Sequence, residues 1–272
     1  MKPRPFDYAR PDTVEEAVAL LAEHGDEARI LAGGQSLMAM MNLRLADPAM
    51  LIDIARIEEL GHIRDLGGTV EVGAAVTQNK LLAWPDLAKR LPLLAASLPF
   101  VGHFQTRNKG TVCGSIAHAD PSSEIPLSLA TLEGDVVLRS KRGERVLAAK
   151  DFQIDMMTTA REGDEMIVAV RFAAHAGRGA AFHEVARRHG DFAMVAVAVL
   201  IEDKENARLG VGGMAGAPVV RRFAAGGVKD AVEELIAELE DYEDLHASAD
   251  LRRDILRNLA PVVVAEAQKC AA

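Results

Sequence analysis

Basic charge is scarce in this 272-residue chain, where 31 Lys and Arg stand against 40 Asp and Glu for a formal net charge of -9. A general nucleic-acid binder needs a basic stripe or patch, so that class is excluded. Long hydrophobic runs are missing too. Even Met194 to Ile201 falls far short of the roughly 20 residues that span a bilayer. Met1-Lys2-Pro3-Arg4-Pro5 carries charge with no apolar segment behind it, unlike a signal peptide. The expectation is a cytoplasmic protein, not an integral membrane one. Cysteine is limited to Cys113 and Cys270, which gives no disulfide framework. An iron–sulfur cluster takes about four thiolates, so this chain alone cannot hold one. The eight histidines show neither H-E-x-x-H nor a paired metal spacing, and no metal site is expected. No G-x-x-x-x-G-K-[ST] occurs, and no G-x-S-x-G elbow surrounds Ser36 or Ser115, against P-loop and elbow-type hydrolases.

What is present is an ordinary globular composition, 49% apolar and 26% charged, in a chain long enough to bury a large core in one to three domains. Thr13 and Glu16 form a capping box ahead of Val14, Ala17, Val18 and Leu21 at helical spacing, and Gly25 ends that helix. Arg29–Ala32 and Met50–Ile54 read as short buried strands, so the opening module alternates β and α. From His62 the pattern changes to hairpins: His62–Leu66 and Thr69–Ala74 across Gly67-Gly68, then Asp135–Ser140 and Glu144–Ala149 across Lys141-Arg142-Gly143. Thr77 caps a helix with Leu81 and Leu82, and Pro92–Leu98 reads as a further helical turn or two. Ser122 or Ser123 caps another helix through Leu127, Leu129 and Leu132. Glu165–Phe172 is a strand. Ala173–Gly179 looks like a linker and marks a boundary. Three strands follow, Ala181–Arg187, Met194–Glu202 and Ala207–Met214, and then two helices, Lys229–Glu240 and Asp250–Lys269. The acidic residues from Glu233 to Asp244 read as a solvated helix face.

Two glycine-rich stretches stand out. In Ile30-Leu31-Ala32-Gly33-Gly34-Gln35-Ser36-Leu37 a short apolar run breaks into two glycines and then polar side chains. Such a loop brings backbone N–H groups to an anion, and pyrophosphate is the anion favoured here. Most Gly-Gly pairs between a strand and a helix only make a turn, and that reading stays open for this loop alone. The second stretch, Arg107-Asn108-Lys109-Gly110-Thr111-Val112-Cys113-Gly114-Ser115, makes a ligand cleft between two loops the better reading. His103 and His118 flank it, as ligand contacts or as structural residues. Cys113 reads as a small buried residue rather than a redox centre. Gly210-Val211-Gly212-Gly213-Met214-Ala215-Gly216 imitates a dinucleotide fingerprint, but Gly216 falls one place late and no amphipathic helix follows Pro218. With no side-chain catalytic constellation evident, chemistry falls to a bound cofactor.

Ala32-Gly33-Gly34-Gln35-Ser36-Leu37 together with Thr106-Arg107-Asn108-Lys109-Gly110-Thr111-Val112-Cys113-Gly114-Ser115 resembles the FAD-binding medium subunit of the molybdenum hydroxylases, the family of aerobic carbon monoxide dehydrogenase and bacterial xanthine dehydrogenases. The likeness runs along essentially the whole chain, including the tail Leu245 to Arg253. It implies an α+β fold, with a vanillyl-alcohol-oxidase (PCMH-type) FAD-binding domain in two subdomains, residues 1–57 and 58–175. A C-terminal domain, residues 176–272, carries a three-stranded antiparallel sheet with helices. It also implies FAD as cofactor, with molybdopterin on a large partner subunit and [2Fe-2S] clusters on a small one, the three chains forming a heterotrimer doubled to a hexamer. Electrons pass from the clusters through FAD to an external acceptor.

By motif, Leu31, Ala32, Gly33, Gly34, Gln35, Ser36 and Leu37 wrap the pyrophosphate. Thr111, Val112, Cys113, Gly114 and Ser115 do so from the other side. Glu124, with Asp120 as a weaker candidate, accepts from ribose hydroxyls near the adenosine. Val101 and Ile167 are apolar walls, His183 falls where relatives carry a lysine near the flavin ring, and Phe192 shields that ring. Cys113 departs from the usual glycine, and Ala39 replaces a common proline. A stand-alone flavin oxidase or reductase on the same module is the alternative, disfavoured because the final third offers no obvious catalytic pair. An apo-subunit that only scaffolds a complex is a third class.

Overall fold

The computed structural model describes residues 2–224 and 226–271, so Met1 of the N-terminal segment lies outside the described residues. The opening module contains β1 (Asp7–Ala9), α1 (Val14–His24), β2 (Ala28–Leu31), α2 (Leu37–Leu43) and β3 (Met50–Asp53). Its three strands form a parallel sheet in the order β1-β3-β2. The cap at α1 is split: the Thr13 hydroxyl accepts from Glu16 N at 3.2 Å, while Glu16 reaches back to Asp12 N at 2.8 Å. Gly25, at φ +54°, closes the helix with its N–H on Leu21 O.

The second module runs through β4 (Ile63–Asp65), β5 (Thr69–Gly73), α3 (Gln78–Leu82), α4 (Leu87–Arg90), α5 (Pro92–Ser97), α6 (Phe104–Arg107), α7 (Val112–His118) and α8 (Glu124–Thr131). It continues with β6 (Asp135–Ser140), β7 (Gly143–Ala148), α9 (Ala149–Phe152), the small hairpin β8 (Gln153–Asp155) and β9 (Thr158–Thr159), and β10 (Met166–Ala173). The main sheet has the order β4-β5-β10-β6-β7 and is antiparallel throughout. Both expected hairpins are therefore present, and β10 joins them into one sheet. Val70 and Val72, fully buried, belong to a core that also takes in α1, α5, α7 and α8.

The last module comprises β11 (Ala180–Val185), β12 (Val195–Ile201), β13 (Asn206–Gly212), β14 (Val219–Ala224), α10 (Val228–Glu238) and α11 (Ala249–Cys270). Its antiparallel sheet has four strands, β11-β12-β13-β14, not the three expected. The fourth was hidden because Pro218 precedes it and Arg221-Arg222 interrupts its alternation, leaving Phe223 as its one buried side chain. Both arginines are paired at the sheet edge, Arg221 with Glu234 and Arg222 with Glu133. Strand β12 explains the apolar run that the sequence carries. Ala196, Ala198 and Leu200 face the first core, while Val195, Val197, Val199 and Ile201 face a second core under α10 and α11. A strand buried on both faces has no polar side to show.

The glycines from Gly210 to Gly216 lie in β13 and the turn after it, not in a nucleotide loop. A Cβ at Gly210 would stand 2.0 Å from Thr131 Oγ1, so glycine lets α8 lie directly on the sheet. Among the described residues no helix is long and apolar enough to cross a membrane.

Candidate functional site

Strand β2 delivers the first glycine loop. After Leu31 the chain turns at Gly33 and at Gly34, whose φ of +68° a side-chain-bearing residue rarely adopts. Helix α2 follows without a side-chain cap, so the Ser36 hydroxyl is not spent on it. Gln35 Nε2 braces the loop by donating to Gly33 O at 3.1 Å. The amides of Gly33, Gly34, Gln35 and Ser36 donate to no carbonyl among the described residues.

The second stretch is less of a loop than its glycines implied. Thr111 is an N-cap whose hydroxyl accepts from Gly114 N at 2.9 Å, so Val112 to His118 is helical from its first residue. Thr111 also forms an isolated bridge with Thr77, and Gln78 N donates to Gly110 O at 2.9 Å. The two stretches touch: a Cβ at Gly33 would lie 2.1 Å from Lys109 O and 2.7 Å from Gly110 Cα. Gly33→Ala is therefore expected to force them apart, weakening cofactor binding about tenfold or more at a stability cost of about 1–3 kcal/mol. Flavin titration and urea midpoints of the variant check this, and a wild-type affinity would show that the contact is dispensable.

Between these stretches opens a cleft of about 970 Å³, at the upper end of the roughly 300–1,000 Å³ of small-molecule sites. Of the residues anticipated from sequence, Ala32, Gly33, Gly34, Gln35, Ser36, Leu37, Val101, Thr111, Cys113, Gly114, Ser115, Asp120, Glu124 and Ile167 line it, as does Phe192. Leu31, Val112 and His183 do not. Leu31 packs its Cδ1 beneath Gly34, and Val112 is fully buried in the core. His183 Nε2 stands 2.7 Å from Glu266 Oε2, outside the lining. His103 and His118 both reach the cleft.

Cys113 shows how a side chain replaces glycine here. Its Sγ points inward, 3.5 Å from Val72 O, and burial pushes the thiol pKa far up, so it stays neutral and unreactive. The amide of Cys113 remains without a carbonyl partner among the described residues. Burial also pushes Glu124 up to about 7, with Asp120 adding to the rise and Arg107 opposing it. Asp120 is raised by burial as well, although its Oδ1 accepts from Ser122 N at 2.9 Å.

Sequence reading passed over Gln78, Arg29 and Arg161. Gln78 lines the cleft with its Oε1 buried and without a hydrogen-bond partner among the described residues. Arg29 donates to Asp26 O and Ala28 O, each at 2.8 Å, and Arg161 to Glu162 O and Glu165 O, each at 2.8 Å. The Nη1 of each is thus held by backbone carbonyls, and no local signal marked either. The unpaired backbone N–H groups of the first loop and the Ser36 hydroxyl fit a pyrophosphate. Apolar Val101 and Ile167, 8% and 6% exposed, fit flat ring faces. Buried acids fit ribose hydroxyls. Among the described residues no group of three or more His, Cys, Asp or Glu is placed to hold a metal.

A cleft of this size, closed by two glycine-rich stretches on adjoining modules, fits a cofactor that carries a pyrophosphate. Residues 4–173 match the family model described as the FAD binding domain in molybdopterin dehydrogenase. The carbon monoxide dehydrogenase medium chain of Hydrogenophaga pseudoflava is 37% identical, covering 93% of each chain. The 6-hydroxypseudooxynicotine dehydrogenase complex subunit alpha of Paenarthrobacter nicotinovorans is 34% identical over 98% of this chain and 96% of its own length. Among solved structures, carbon monoxide dehydrogenase from H. pseudoflava superposes with a TM-score of 0.95 at 35% identity, and quinoline 2-oxidoreductase from Pseudomonas putida 86 with 0.91 at 32%, both over 100% of each chain. The chain belongs to the FAD-binding medium subunits of the molybdenum hydroxylases, and FAD is its cofactor.

Proposed function

We propose that this subunit carries electrons from [2Fe-2S] clusters on a small partner subunit, through FAD, to an external acceptor, with the molybdopterin site on a large partner. The reading gives a cytoplasmic heterotrimer doubled to a hexamer. The chain divides at 1–57, 58–175 and 176–272, in keeping with one main sheet per segment and a family match that ends at residue 173. The observation that carries the cofactor reading is the close approach of Gly33 to Lys109 and Gly110, which brings the unpaired amides from Gly33 to Ser36 together with the start of α7, where the Cys113 amide has no carbonyl partner among the described residues.

FAD supplies the redox chemistry, because it accepts electrons singly or in pairs. The protein's own residues bind and orient it. The Gly33 and Gly34 amides and the Ser36 hydroxyl donate to pyrophosphate from one side. Thr111, Cys113, Gly114 and Ser115 hold it from the other, with Leu31, Leu37 and Val112 supporting the loops from behind. Glu124 accepts from a ribose hydroxyl with Asp120 beside it. Val101 and Ile167 wall the cofactor, and Phe192, 62% exposed at the rim, excludes water from the ring. His183, midway along β11, is tethered by Glu266 and offers a donor on the flavin-ring side.

Purification of the chain with its natural partners tests the electron-transfer role. Reduction of its bound flavin by the reduced cluster subunit supports it. Turnover of a small organic substrate by the isolated chain would favour a stand-alone flavin enzyme instead.

A further inference from the structure

Gln78, the first residue of α3, keeps a polar side chain in an almost dry place: it is 5% exposed and lines the cleft. Its backbone is fully used. The N–H donates to Gly110 O at 2.9 Å, and the preceding Thr77 caps α3 at Lys80 N at 3.1 Å and bridges to Thr111. The side chain is not, since Oε1 is buried without a hydrogen-bond partner among the described residues. Buried carbonyl oxygens are nearly always satisfied, and leaving one bare is costly. The neighbours fix where this oxygen lies. A Cβ at Gly110 would stand 3.2 Å from Gln78 Oε1 and 3.1 Å from Thr106 O, and a Cβ at Gly33 would stand 2.7 Å from Gly110 Cα. Gln78 therefore sits at the seam between the two glycine-rich stretches. Thr106 carries the seam onward, because a Cβ at Gly102 would lie 3.3 Å from Thr106 Cβ, and Gly102 adjoins the apolar wall residue Val101.

We propose that Gln78 is a binding residue for the ribityl chain of FAD, its Oε1 accepting a hydrogen bond from a ribityl hydroxyl at the seam of the clamp. This rests on the FAD reading of the cleft. A bare carbonyl oxygen needs a donor, and pyrophosphate offers acceptor oxygens only. The ribityl hydroxyls are donors. With the pyrophosphate in the clamp and the flavin ring on Val101, the ribityl chain is the part of the cofactor that spans the seam. The carboxamide turns about a broad terminal torsion, so its oxygen meets the hydroxyl while the backbone bond to Gly110 holds. Gln78 thereby favours FAD over adenine nucleotides that share its pyrophosphate and lack the flavin half.

The test titrates the full chain with FAD, by flavin fluorescence, and with ADP, by calorimetry, for wild type and Gln78→Met. ADP keeps the adenosine and the pyrophosphate but has no ribityl chain, and methionine keeps the length of the side chain without its carbonyl. The variant's Kd for FAD is expected to rise about tenfold, the scale of one neutral hydrogen bond, while its Kd for ADP stays at the wild-type value. FAD analogues that each lack one ribityl hydroxyl complete the cycle. One of them should bind the wild type about tenfold more weakly than FAD does, with no further loss in the variant. Equal losses for FAD and ADP would mean that Gln78 only holds the Gly110 turn, and that overturns the proposal, as does an unchanged Kd for FAD. A wild type that binds every analogue as tightly as FAD also overturns it, even if the methionine variant does not fold. A wild type that takes up no FAD overturns the FAD reading itself, and the ribityl assignment with it.

Discussion

Gly34→Asp is expected to strip FAD from the protein. Two penalties fall on one residue. The backbone at φ +68° disfavours any Cβ, and an added Cβ would sit 3.1 Å from Leu31 Cδ1 and 3.3 Å from Met38 Cγ. The aspartate then places a negative charge among the amides that hold the pyrophosphate. Like charges about 4 Å apart at an effective dielectric of about 20 repel by about 4 kcal/mol, which is about a thousandfold in Kd. Gly34→Ala separates the two effects, because it carries the strain without the charge and should lose far less. Flavin absorbance per chain after gel filtration reads the result. A Gly34→Asp protein that emerges with a full complement of FAD would mean the cofactor lies elsewhere.

Arg252→Leu should be the most damaging change to the C-terminal module. The guanidinium is 2% exposed on α11. Its Nη1 donates to Gly213 O at 2.7 Å and to Met194 O, its Nη2 meets Asp244 at 2.8 Å, and it stacks on the Tyr242 ring at 5.2 Å. Leucine leaves a buried and a half-buried carbonyl without this donor and Asp244 without its cation, a loss of about 3 kcal/mol. The effect should also reach the cofactor site. Gly213 N donates to Pro121 O at 2.9 Å, so the turn that Arg252 anchors also holds the segment from Asp120 to Glu124. The urea midpoint and the FAD Kd should therefore worsen together. A stability loss with unchanged FAD affinity would uncouple the two modules.

Local chemistry was legible in the sequence wherever it decides structure by itself. Thr13, Gly25, Thr77 and the Gly67-Gly68 turn behaved as their types require, because caps and tight turns need only their neighbours. The clamp was half legible. Glycines at Gly33, Gly34 and Gly110 pointed to close backbone approach, but not to which backbone approaches. Helix α7 reads as glycine-rich loop in the sequence, whereas the Thr111 cap and the contact of Cys113 with Val72 O hold it as a helix. Strand β14 escaped because its pattern is set by partners on other elements: Arg221 by α10, and Arg222 by Glu133 and Glu202. Gln78 and Arg161 were invisible for the same reason. Their significance comes from tertiary neighbours that no spacing encodes.

The most direct test of the two-sided clamp is the visible spectrum and flavin stoichiometry of the purified full chain, before and after incubation with FAD. The account predicts a yellow protein holding about one FAD per chain, as a single clamp requires, with the flavin lost in Gly34→Asp. A colourless protein that takes up no added FAD would contradict it.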